Sequence, residues 1–153
     1  MAGRTLNLTG NQATIKATSE ETGGTFALLE FVAVPGAPEL FAHVHTREDE
    51  CLYVIEGRLL VTVGQDEQLV EAGGFVFMPR RAMHCWRNPD PNPARFLTML
   101  LPAGGERYFL DLAAALAAGT PATIQALTPL MAHHGMRPVQ PVVRLVGDHG
   151  SIQ

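Results

Sequence analysis

Two histidines two residues apart, His43 and His45, stand just ahead of three carboxylates, Glu48, Asp49 and Glu50. The flanking runs, Glu39-Leu40-Phe41 and Cys51-Leu52-Tyr53-Val54-Ile55, read as strand. In a strand, side chains i and i+2 share a face, so His43 and His45 present two imidazoles side by side. A carboxylate delivered by the next strand can close on the same point. Imidazole and carboxylate together are the donor set of a mononuclear site for a first-row divalent ion. A third histidine, His84, follows downstream, after the strand–proline unit Phe75-Val76-Phe77-Met78-Pro79.

Such donors need a rigid scaffold, and the composition supplies one. The chain has 153 residues, 46% of them hydrophobic and 17% charged, which suits one domain with a real core. The net charge of −4 and the lack of a basic run argue against nucleic acid and anionic membranes as partners. No apolar run reaches the length of a membrane span, and the N-terminus lacks a signal-peptide pattern. The expectation is a cytoplasmic protein in which Cys51 and Cys85 stay reduced.

Glycines and prolines punctuate short β-rich runs at 25–34, 39–45, 50–55, 58–63, 68–71, 75–78, 83–87 and 95–101, with a short edge strand at 15–18. Short strands between regularly spaced turns predict an all-β sandwich or barrel. The pattern then becomes helical. Residues 106–118 are Ala- and Leu-rich and are followed by Gly119. Thr128-Pro129 reads as the cap and first residue of a second, short helix over 129–134, stopped by Gly135. No clear element is expected from Arg137 to Gln153. Residues 1–104 are thus expected to form the barrel with its N-terminal strands, and 105–153 a helical extension and tail of the same domain.

The spacings resemble the two motifs of the cupins. Gly36, His43, His45, Glu50 and Gly57 follow G-x5-H-x-H-x(3,4)-E-x6-G, with the first glycine displaced by one residue. Gly73, Pro79, His84 and Asn88 follow G-x5-P-x-G-x2-H-x3-N, with Arg81 at the internal glycine. The resemblance spans 25–101, and the helical tail is similar to small single-barrel, quercetin-dioxygenase-like members. It implies an all-β double-stranded β-helix barrel and four metal ligands, His43, His45, Glu50 and His84. Glu50 is the carboxylate that meets both motif spacings, which leaves Glu48 and Asp49 as a solvated turn.

The metal expected is one divalent iron, manganese, nickel, cobalt, copper or zinc ion. Four protein ligands leave positions open for water, dioxygen or a chelating substrate. By strand alternation Phe41, Leu52, Val54 and Trp86 share the ligand face and are candidate walls of a substrate cavity, while Cys51 and Cys85 face away. His133 and His134 complement a helix C-terminus, His149 needs no function, and Arg81 is read as a surface charge. No nucleophile setting, phosphate loop or dinucleotide fingerprint is present. The resemblance implies an oxidoreductase, dioxygenase-like, acting on a flavonol, catechol or diketone, with Glu50 as ligand and proton acceptor. Other readings are a cupin isomerase or decarboxylase, or a binding barrel without turnover. A homodimer is expected, through an open sheet edge at residues 13–34.

Overall fold

The computed structural model describes residues 3–35 and 41–139. Gly36, the Glu39-Leu40 start of the histidine strand, and the tail with His149 lie outside them. Ten strands precede two helices: β1 Thr5–Leu8, β2 Asn11–Ala17, β3 Ala27–Ala33, β4 His43–His45, β5 Asp49–Glu56, β6 Arg58–Val63, β7 Asp66–Glu71, β8 Phe75–Met78, β9 His84–Arg87 and β10 Ala94–Leu101. Helices α1 (Glu106–Ala117) and α2 (Ile124–His133) follow, and then β11 (Met136–Pro138). The strands form two antiparallel sheets, β1-β2-β3-β10-β5-β8 and β11-β4-β9-β6-β7. This is the all-β barrel expected from the strand pattern, in the double-stranded β-helix form that the cupin resemblance implies.

Period-2 alternation makes the sandwich. Along β3 every other residue, from Ala27 to Ala33, is buried, and β10 and β8 repeat the pattern. The inward residues interdigitate between the sheets around an aromatic cluster. Phe31 stacks on Phe96 with ring centroids 5.2 Å apart, and Trp86 and Phe109 meet that pair edge-on. Asn88 ties down the proline-rich loop. Its amide donates to the Ala33 and Asn92 carbonyls, and its side-chain oxygen accepts from the Asp90 N–H.

Four expectations need correction. The segment at 15–18 is not an edge: β2 lies between β1 and β3, and β3 pairs with β10. The proposed dimer edge at 13–34 is therefore already covered within the chain. Strand β1 was not foreseen, because Thr5-Leu6-Asn7-Leu8 is too short and polar to stand out, yet it seals the sheet with Leu6 and Leu8 buried. The second helix starts five residues before Pro129. Thr123 caps it by accepting from the Ala126 N–H, and Pro129 sits inside. The backbone hydrogen bond lost at Pro129 is offset by burial of Leu127 and Met131, one turn apart on the inward face. Finally, β11 extends the second sheet by pairing with the histidine strand β4.

Gly57, between β5 and β6, takes φ +76°. A Cβ there would stand 3.0 Å from the Ala94 Cα and 3.1 Å from the Pro93 carbonyl oxygen. Gly57→Ala is expected to lower unfolding stability by about 2 kcal/mol through left-handed strain plus contact, measured by urea denaturation. An unchanged midpoint would contradict this reading of the turn.

Candidate metal centre

Strand β4 lies between β11 and β9, and His43 is the direct cross-strand partner of His84. Glu50 comes from β5 in the opposite sheet, where it is paired with Met78 and Leu100. Three imidazoles from one sheet thus face one carboxylate from the other. All four residues are buried, and one donor atom from each lies within 4.8 Å of the rest.

The hydrogen bonds set the imidazole tautomers. His43 Nδ1 is 2.6 Å from the Phe41 carbonyl oxygen, and His84 Nδ1 is 3.2 Å from that of Ala82. His45 Nδ1 is 3.3 Å from a Glu48 carboxylate oxygen. Each partner accepts, so each Nδ1 donates outward and each Nε2 is turned toward the centre. His43 Nε2 and His45 Nε2 are 3.2 Å apart, and Glu50 Oε2 is 3.2 Å from His45 Nε2 and 3.1 Å from His84 Nε2. Adjacent donors of an octahedral ion with bonds of about 2.1 Å stand about 3 Å apart, so the spacing matches such an ion.

Burial and neighbours act oppositely on two of the imidazoles. Burial first, then His84 and His45, push His43 down to about 3. For His45 burial is the largest single effect and lowers its pKa, but Glu48 and Glu50 together outweigh it and raise it to about 9. Burial raises the Glu50 pKa, while its bonds to His45 and His84 more than reverse this and hold it well below the usual carboxylate range. Without a metal the centre therefore keeps a proton on His45, where a cation would otherwise sit.

Glu48 is not the solvated turn residue expected. It is 6% exposed and holds the outer nitrogen of His45. Because it bonds Nδ1, it lies on the far side of the ring from Glu50. Its three-residue spacing behind a proposed ligand was the available signal. Asp49 does face outward, where Arg80 grips it through its side chain and backbone N–H and holds its carboxyl at about 2. Arg81 adopts φ +70° at the position where the motif has glycine, so the turn keeps its shape. Its N–H donates to the His45 carbonyl and its side chain is exposed. Cys51 and Cys85 are not joined in a disulfide and are half-buried.

A narrow cavity with about 50 Å³ of free space opens onto His43 and Glu50. Phe41 and Trp86 line it. Leu52 and Val54 share the Glu50 face but are fully buried in the core and do not line it. The outer wall comes from the helical segment, through Tyr108, Phe109, Leu112, Leu127, Met131 and Met136, which strand alternation could not have pointed to. Burial raises the Tyr108 phenol to about 12. Among the described residues, no lysine or arginine lines the cavity.

A β-barrel holding a buried three-histidine, one-carboxylate group that could bind a metal ion defines a class of protein. Residues 29–100 match the family Cupin_2, Cupin domain. That stretch of the chain is a cupin domain. An RmlC-like cupin from Shewanella frigidimarina superposes with a TM-score of 0.59 at 20% identity, covering 69% of this chain and 88% of the other. A predicted oxalate decarboxylase from Thermotoga maritima does so with a TM-score of 0.59 at 17% identity, covering 67% and 93%. Tetracenomycin polyketide synthase protein TcmJ of Streptomyces glaucescens is 29% identical over 85 residues, 56% of this chain. The match spans 57% of that protein's length.

Two outcomes test the centre. Glu48→Gln is expected to weaken metal binding about tenfold without unfolding the chain, as loss of an outer carboxylate partner does, read by chelator competition; unchanged affinity would contradict its role. The second concerns pH. The folded pKa of His45 lies above the unfolded value of 6.5. Its contribution to the metal-free chain is thus complete below pH 6.5 and is lost as pH rises through about 9. The melting temperature of metal-free protein should fall over that window, whereas that of metal-loaded protein should not; identical profiles would contradict the assignment.

Proposed function

We propose that this cupin is a metal-dependent oxidoreductase of dioxygenase type, acting on an enolic or phenolic aromatic molecule such as a flavonol, catechol or diketone. The observation that carries this reading is the apolar, aromatic cavity that opens onto His43 and Glu50 of the four donors and, among the described residues, is lined by no lysine or arginine. An anionic substrate such as a phosphate ester or a dicarboxylate would lie there without a side-chain counter-charge, at a desolvation cost. An uncharged ring system would be buried favourably, with one chelating edge at the centre.

A bound first-row ion would supply Lewis acidity toward a substrate hydroxyl and open positions for dioxygen. The chain does the rest. His43, His45 and His84 present three imidazole donors, with Glu48 fixing His45. Glu50 is a buried carboxylate that the two imidazoles hold ionised, so it can take the substrate hydroxyl proton. Tyr108, a phenol kept neutral by burial, can donate to a substrate oxygen remote from the centre. Phe31, Trp86 and Phe109 exclude water from the cavity. A ring-sized ligand exceeds the present free space, and the unbranched Met131 and Met136 in the α2–β11 wall are the side chains best able to yield. In a cytoplasmic setting both thiols would stay reduced.

The likeness to a polyketide synthase protein favours a second reading, in which the aromatic substrate is polyketide-derived and is rearranged without dioxygen. Dioxygen uptake separates the two. Protein loaded with each candidate metal is expected to consume dioxygen with at least one member of a flavonol, catechol and diketone panel. His84→Ala should cut that rate about a thousandfold, the several kcal/mol that metal polarisation contributes, with little change in melting temperature. No uptake with any metal would overturn the dioxygenase reading, and product formation without uptake would establish the second.

A further inference from the structure

Among the described residues, Thr9 at φ +56° and Arg81 at φ +70° are the two besides glycine that hold a positive φ. Arg81 occupies the glycine position of a motif turn, whereas no motif asks for Thr9. Thr9 and Gly10, the latter at φ +100°, are the central pair of the two-residue turn between β1 and β2. Turns with both central residues in the left-handed region favour Asn-Gly, and a β-branched side chain there is a genuine outlier. Asparagine or glycine would make the same turn with less strain. Strain kept at one position points to a use for its side chain. Thr9 lines the cavity that opens onto His43 and Glu50.

We propose that Thr9 is a specificity-determining residue, whose hydroxyl oxygen accepts a hydrogen bond from a substrate hydroxyl at the end remote from the four donors. The Thr9 hydroxyl donates to the Leu8 carbonyl at 2.6 Å. That bond commits its proton and leaves its oxygen an acceptor, and among the described residues it makes no other hydrogen bond. Away from the centre the lining is otherwise hydrocarbon, apart from the Tyr108 phenol. Remoteness follows from the strand registers. Glu50 is level with Leu100 on β10, and Leu100 with Ala27 on β3. The turn lies beyond the pair Gln12–Val32, and Asn11 fixes it there by accepting from the Val34 N–H. The stretch of β3 from Ala27 to Val32 is roughly 17 Å long. Side chains and a bound ion fill part of that length, and the rest exceeds a single catechol ring. The substrate class is therefore a molecule of linked or fused rings with a chelating edge at one end and a hydroxyl at the other, not a monocyclic catechol or a small diketone. This rests on the cavity being the substrate site of the oxidoreductase proposed above.

Trp86 is the only tryptophan of the chain and lines the same cavity, so its fluorescence reads occupancy without turnover. Zinc-loaded protein under nitrogen is titrated with flavonol and with the derivative that carries one hydroxyl at the far end of its pendant ring. Wild type is expected to bind the hydroxylated compound about fivefold more tightly, the effect of one hydrogen bond. Thr9→Gly keeps the turn and removes the side chain. It should abolish that preference, leave the affinity for flavonol itself nearly unchanged and not lower the melting temperature. Thr9→Ser, which keeps the hydroxyl, should retain the preference. A Thr9 that served the turn alone would move the melting temperature and not the preference. No quenching by either compound, no preference in wild type, or a preference that survives in Thr9→Gly would each overturn the proposal. Dioxygen uptake is a separate readout: an intact preference without uptake supports the role of Thr9 and overturns the dioxygenase reading alone.

Discussion

Everything in this structure that bears on chemistry depends on one electrostatic constraint. Three imidazoles and a carboxylate are held out of water with their donor atoms on one point. Desolvation alone would drive such a group apart or neutralise it. The fold prevents this by satisfying the far side of each ring, through the carbonyls of Phe41 and Ala82 and the carboxylate of Glu48. What remains is four donor atoms turned toward one another at the centre, and a divalent cation answers that arrangement directly. The two-sheet architecture matters because the carboxylate and the histidines come from opposite layers. Any change in sheet separation would change the size of the centre.

The same strand, β5, links the inside of the protein to its outside. Its even-numbered residues carry Glu50 to the centre and Leu52 and Val54 to the core. Its odd-numbered residues carry Cys51 and Tyr53 to the apolar outer face. The cavity is finished by α1, α2 and β11. Here β11 does two things: it places Met136 in the wall and hydrogen-bonds the histidine strand along its free side.

Much of this was legible in the sequence because strand alternation and motif spacing are local. His43-Val44-His45, Glu50 and His84 could be brought together on paper, and the eight principal strands could be placed to within a few residues. The failures share a cause. Strands β1 and β11 are short, and they exist because a neighbouring strand offers unpaired backbone, which a linear reading does not show. Pro129 looked like a helix start because proline fits the first turn, whereas burial of Leu127 and Met131 carries the helix through it. Glu48 looked like a solvated charge because three carboxylates in a row usually are. Its burial follows from the position of the His45 outer nitrogen, a tertiary fact. Leu52 and Val54 were given to the cavity because alternation assigns a face but not a depth.

The central claim is that His43, His45, Glu50 and His84 together hold a single ion. X-ray absorption of the purified, metal-loaded protein tests it most directly. The account predicts one ion per chain and a first shell of nitrogen and oxygen at about 2.1 Å, with the outer-ring scattering of three imidazoles and no sulfur. Fewer than two imidazoles, a sulfur ligand from Cys51 or Cys85, or a stoichiometry far below one that excess metal cannot raise would contradict it.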